Sequence, residues 1–103
     1  MKNIMDNVGV ELNQTYVIGV DTIVFNDNFT VSVKTIRQSY TIGVSAYTSA
    51  KNESRISLDN ASKYSTFGGD FIGKLRMPDC RIIKLTSRIL VVERSFGKEL
   101  IKL

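Results

Sequence analysis

The sequence contains no histidine at all. That removes the commonest general base, the Ser-His and Cys-His nucleophile pairs and the commonest zinc ligand. Cysteine occurs once, as Cys80, so neither an intrachain disulfide nor a cysteine-rich metal site can form. Proline also occurs once, as Pro78, and no segment is of low complexity. Long apolar runs are missing too. The longest, Ile89-Leu90-Val91-Val92, falls far short of the roughly 20 residues that span a bilayer. The first residues, Met1-Lys2-Asn3-Ile4-Met5-Asp6, lack the apolar stretch of a signal peptide. A soluble protein of the cytoplasm is expected, or of the host cytoplasm if the gene is viral, with no membrane partner.

What is present is ordinary globular material. The chain has 103 residues, 43% of them hydrophobic and 23% charged, which suits one domain spanning 1–103 with one core. The net charge of +4 is unevenly spread. Residues 1–70 hold six basic and seven acidic side chains, whereas residues 71–103 hold eight basic and three acidic. The basic excess therefore sits in the last third, a hint of an anionic partner.

Strand signals dominate. Tyr16 to Phe25 is rich in Val, Ile and Thr. Asn26-Asp27-Asn28 forms a turn, and Phe29, Val31 and Val33 alternate with Thr30, Ser32 and Lys34. Tyr40 to Thr48 completes a three-strand meander, and Val8 to Leu12 reads as a further short strand. Residues 49–55 read as a loop and 57–67 as the one candidate helix, capped by Ser57 and stopped at Gly68-Gly69. Phe71 to Arg76 reads as a weak strand. Arg81 to Thr86, Arg88 to Glu93 and Glu99 to Leu103 read as stronger ones. Gln14-Thr15-Tyr16-Val17-Ile18-Gly19-Val20 is echoed by Gln38-Ser39-Tyr40-Thr41-Ile42-Gly43-Val44, with a glycine read in mid-strand in both copies. The fold expected is mainly β: a small antiparallel β-barrel or sandwich of five to seven strands with at most one short helix.

No catalytic set emerges, and neither enzyme activity nor a cofactor is expected. Asp21, Asp27 and Asp70 lack the spacing of a calcium loop, and no metal is expected. Cys80 has Arg76, Arg81 and Lys84 near it in sequence, yet reads as a small apolar residue opening a strand. Gly68-Gly69-Asp70-Phe71 departs from the diguanylate cyclase signature at Phe71, where that family carries an acidic residue.

Two binding functions remain. The C-terminal strands are apolar on both faces, which calls for cover by barrel closure or a second subunit. On this reading the protein is a non-enzymatic protein-binding or self-assembling protein, such as an inhibitor or structural subunit from a virus or mobile element. Its interface would use Leu90, Val92, Phe96 and Leu100. The alternative is a nucleic-acid-binding module using Arg76, Arg81, Lys84, Arg88, Arg94, Lys98 and Lys102 on phosphates, with Tyr40, Tyr47, Tyr64 and Phe96 as rings for stacking. The two-sided strands place these cations on strand ends and turns, which favours the protein-binding reading. The order of three meander strands, a helical linker and further strands resembles an OB-fold layout over most of the chain. That resemblance rests on topology and implies single-stranded nucleic-acid or oligosaccharide binding.

Overall fold

A computed structural model describes residues 8–48, 51–59, 69–75, 80–94 and 97–103. The elements are β1 (Thr15–Ile18), β2 (Asp21–Phe25), β3 (Thr30–Lys34), β4 (Ser39–Thr48), β5 (Ser54–Leu58), α1 (Asp70–Leu75), β6 (Arg81–Leu85), β7 (Ile89–Arg94) and β8 (Gly97–Lys102). Each strand pairs antiparallel with the next in sequence, giving one eight-stranded sheet in the order β1 to β8. The sheet is open, with β1 and β8 as its edges.

β4 joins two halves of the sheet. Its residues Ser39 to Gly43 pair with β3, and Val44 to Thr48 pair with β5. The apolar alternation of the strands buries one face of each half. Ile23, Phe25, Val31, Val33 and Ile42 from the first half meet Ile56, Ile82, Leu85, Leu90 and Val92 from the second in a single cluster. Val8 and Val10 join this core without forming a strand. Burying each of these side chains contributes about 1.5–3 kcal/mol.

The strand count exceeds the expected range because Tyr16 to Phe25 is two strands and Ser54–Leu58, read as loop and helix start, is another. Ile18 pairs with Asp21 across a two-residue turn, Gly19-Val20. Gly19 has φ 63°, and the Asp70 carboxylate fills the space its side chain would need. Glycine meets both demands, as a two-residue hairpin loop requires. Gly43, its counterpart in the echo, instead lies inside β4 where that strand changes partners. The two copies therefore do different structural work.

Other expectations are corrected as well. Phe29 does not share the inward face of Val31 and Val33. It sits in the β2–β3 turn at φ 58°, 44% exposed. Ser57 and Leu58 belong to β5, not to a helix, and residues 60–68 lie outside the described residues. Asp70 to Leu75 is helical where a weak strand was read. Phe71, Ile72 and Leu75 bury themselves against the core at helical spacing. The Phe71 N–H donates to the Asp21 carboxylate at 2.9 Å, and the Val20 N–H donates to Asp70 at 2.7 Å. These reciprocal bonds fix α1 against the β1–β2 turn.

Candidate functional site

The cations of the last third come together through register. In an antiparallel pair, residues opposite one another share a face. In β7, Leu90 and Val92 point into the core, so Ile89, Val91 and Glu93 point outward. Arg81 pairs with Glu93, and Glu93 with Lys98, so all three lie on the outer face. Lys84 pairs with Val91, Val91 with Leu100, and Ile89 with Lys102. Arg81, Lys84, Lys98 and Lys102 therefore stand on one outward face, all exposed.

A β-bulge makes this possible. Arg81 and Lys84 are three residues apart, which in a regular strand puts them on opposite faces. The register shifts between Ile82 and Lys84, so Ile83 is accommodated as an extra residue and both cations point outward. The cations thus pave a sheet face, where strand ends and turns were expected to hold them.

The face extends across the sheet to β5 and β4. Ser45, Ser57, Arg81, Glu93 and Lys98 form a row across five strands. Arg55 pairs with Tyr47, whose ring is 40% exposed. Glu93 is the acidic residue at the centre of this face, and Arg55 binds it with two hydrogen bonds of 2.8 Å, from Nε and Nη2. Nη2 of Arg55 also reaches Glu53 at 2.9 Å. The Arg55 guanidinium, aided by Arg81 and Lys98, holds the Glu93 carboxyl below the usual glutamate range. Glu93 itself raises the pKa of Arg55. Arg55 is thus committed to carboxylates. By contrast, Arg81, Lys84, Lys98 and Lys102 have no ion-pair partner among the described residues.

The remaining expected site residues fall elsewhere. Arg94 is buried, donates from Nη1 to the Leu75 carbonyl at 2.7 Å and pairs with Glu99 at 3.2 Å, so it is structural. Arg88 is exposed in the β6–β7 turn. Arg76, Tyr64 and Phe96 lie outside the described residues, and Tyr40 is half-buried against the core. Leu90 and Val92 are fully buried core side chains and so are not available to the interface expected for them; Leu100 is 57% exposed. Cys80 is buried, and burial pushes its thiol up despite the nearby Arg94. Arg55 and Glu93 were missed in sequence because their partnership crosses 38 residues. Only the β5–β6–β7 register brings them together.

Among the described residues no helix is long and apolar enough to cross a membrane, and no three metal-ligating side chains cluster. No protein-family model matches the chain, and neither a curated protein nor a solved structure matches it.

Proposed function

We propose that the protein binds single-stranded nucleic acid on the outer face of β4 to β8. The observation that supports this best is the alignment of Arg81, Lys84, Lys98 and Lys102 on one exposed face, none of them in an ion pair among the described residues, the nearby Glu93 being bonded to Arg55. Adjacent strands lie about 4.8 Å apart, and alternate residues along a strand lie about 6.7 Å apart. Those spacings suit side chains that follow a sugar–phosphate backbone. Tyr47 at the far margin of the face offers a ring for a base to stack on. Val91 and Leu100, between the cations, supply an apolar surface. Arg55 and Glu93 form the fixed centre of the face, because each already satisfies the other.

The same residues argue against assembly through β8. Two copies of this edge pairing antiparallel about Leu100 would set Lys98 opposite Lys102 twice. Like charges directly opposite are destabilising, and lysines on an edge strand are a recognised defence against edge-to-edge pairing. A protein-contact function would draw on exposed apolar side chains that are scattered over the sheet: Val17 on β1, Val20, Phe29 and Ile36 on turns, and Leu100 on β8.

The test is a titration of a fluorescent oligothymidylate of about 16 nucleotides at low and high salt. Micromolar binding that weakens with salt is expected. An affinity indifferent to salt, or a stable dimer that ignores the oligonucleotide, overturns the reading in favour of protein contacts.

A further inference from the structure

The basic face is not uniformly polar. Ile89 and Val91 on β7 point outward and are half-buried, and Leu100 on β8 is 57% exposed. Val91 pairs directly with Leu100, and Ile89 is the neighbouring outward residue of β7, so the three form one apolar patch across two strands. Cations border it on both sides. Lys84 stands opposite Val91 on β6, and Lys102 stands opposite Ile89 on β8. Leu100 itself lies between Lys98 and Lys102 on β8, alternate residues of a strand being about 6.7 Å apart. A nucleic-acid strand held by both lysines therefore passes over Leu100.

The chemistry of the patch decides which base gains by lying there. Aliphatic side chains carry neither donors nor acceptors, so a base that turns its amino or carbonyl groups onto them loses water and gains no hydrogen bond. Glu93, the next outward residue of β7, is already bonded to Arg55. Thymine carries an apolar substituent, the C5-methyl, which proteins contact with apolar side chains. Uracil has the same hydrogen-bonding groups without that methyl. Taking one such group out of water is worth about fourfold in affinity. The patch measures about 5 by 7 Å between side-chain positions, enough for one or two bases.

We propose that the face selects thymine, and so single-stranded DNA over RNA, by seating thymine methyl groups on Ile89, Val91 and Leu100 while Lys84, Lys98 and Lys102 hold the adjoining phosphates. Selection of this kind rests on the nucleic-acid reading of the face and adds the identity of the base to it. The cations set affinity and its dependence on salt, and the patch sets preference among bases. An uncharged contact releases no counterions, so the preference is the same at every salt concentration.

The experiment compares fluorescent oligothymidylate and oligodeoxyuridylate, each of about 16 nucleotides, by anisotropy with the whole chain at several salt concentrations. The two oligonucleotides differ only in their methyl groups. Oligothymidylate should bind about four- to fifteenfold more tightly, for one or two seated methyls, with the same salt slope for both. Leu100→Ala, at an exposed position, should cut that ratio to about twofold or less and keep the slope. Tyr47→Ala should weaken both oligonucleotides and keep the ratio. Equal affinities in the unmutated protein overturn the thymine assignment and leave the nucleic-acid reading standing. So does a preference that survives Leu100→Ala but is lost in Tyr47→Ala. Binding of neither oligonucleotide overturns both. Light scattering on the free protein adds one more outcome: a dimer broken by Leu100→Ala gives the patch to a second copy and overturns the assignment.

Discussion

Replacing Lys98 and Lys102 together by alanine tests the basic face most directly. Both are exposed on an edge strand, so the fold should tolerate the change. Four outward cations with no ion pair among the described residues set the magnitude. Each phosphate neutralised on a single strand contributes about −0.7 to the slope of log affinity against log salt, so four contacts give about −2.8. A rise from about 50 to about 200 mM salt should then weaken the unmutated protein about 50-fold. The double variant should fall to a slope of about −1.4 and lose only about sevenfold over the same range. Lys34→Ala, on β3 in the other half of the sheet, should keep the full slope. Glu93→Gln makes the sharper case. It removes the negative charge at the centre of the face while Arg55 stays paired with Glu53, so binding should tighten with the slope near about −2.8. Fluorescence anisotropy at four or more salt concentrations measures all four proteins. A double variant with the unmutated slope, or a Glu93→Gln variant that binds more weakly, refutes the assignment of this face.

Three further outcomes follow from the packing. Leu90→Ala should cost about 3 kcal/mol in urea denaturation, because Leu90 is fully buried, whereas Leu100→Ala should change stability by less than about 0.5 kcal/mol. Phe29→Gly should stabilise the protein by about 1 kcal/mol, since a bulky residue at φ 58° carries left-handed strain and the exposed ring gives little burial in return; an unchanged or lower melting temperature contradicts this. The depressed Glu93 carboxyl supplies stability that is present above the ordinary glutamate value of about 4.3 and is lost as pH falls through its lower folded value. The stability gap between the unmutated protein and Glu93→Gln should therefore be full at neutral pH and shrink as pH falls below the ordinary glutamate value.

The mainly β character was legible because Val, Ile, Thr and Tyr alternate with polar residues over much of the chain. The Asn26-Asp27-Asn28 turn was legible for the same chemical reason: short polar side chains bond locally, as Thr30 does to Asn28 at 2.6 Å. α1 was hidden. Phe71 and Ile72 favour strands and Gly73 disfavours helix, yet burial of Phe71, Ile72 and Leu75 and the bond to Asp21 prevail over propensity. The site was hidden by one residue. Arg81-Ile82-Ile83-Lys84-Leu85 reads as a strand apolar on both sides because Ile83 is surplus to the alternation. Without the register there was no sign that it bulges and lets Lys84 rejoin Arg81. Ile89 to Val92 posed a similar problem: four consecutive apolar residues do not reveal which pair faces in.

The nearest-neighbour order of the strands also bears on how the chain reaches this structure. Every ladder joins strands that follow one another, so no early segment has to wait for a distant one before it can pair. The turns β1–β2, β2–β3, β3–β4, β4–β5, β6–β7 and β7–β8 each close over a few residues; the long closure is that between β5 and β6, which spans α1. Closure entropy grows slowly with length, and contacts close in sequence speed folding. A chain emerging from the ribosome can therefore lay down the first half of the sheet, hairpin by hairpin, before the basic strands exist. Those strands, with their concentrated positive charge, then arrive on a template whose β5 edge is already formed. Synthesis order and spatial order coincide, and the strands that carry Arg81, Lys84, Lys98 and Lys102 are the last of the sheet to be synthesised.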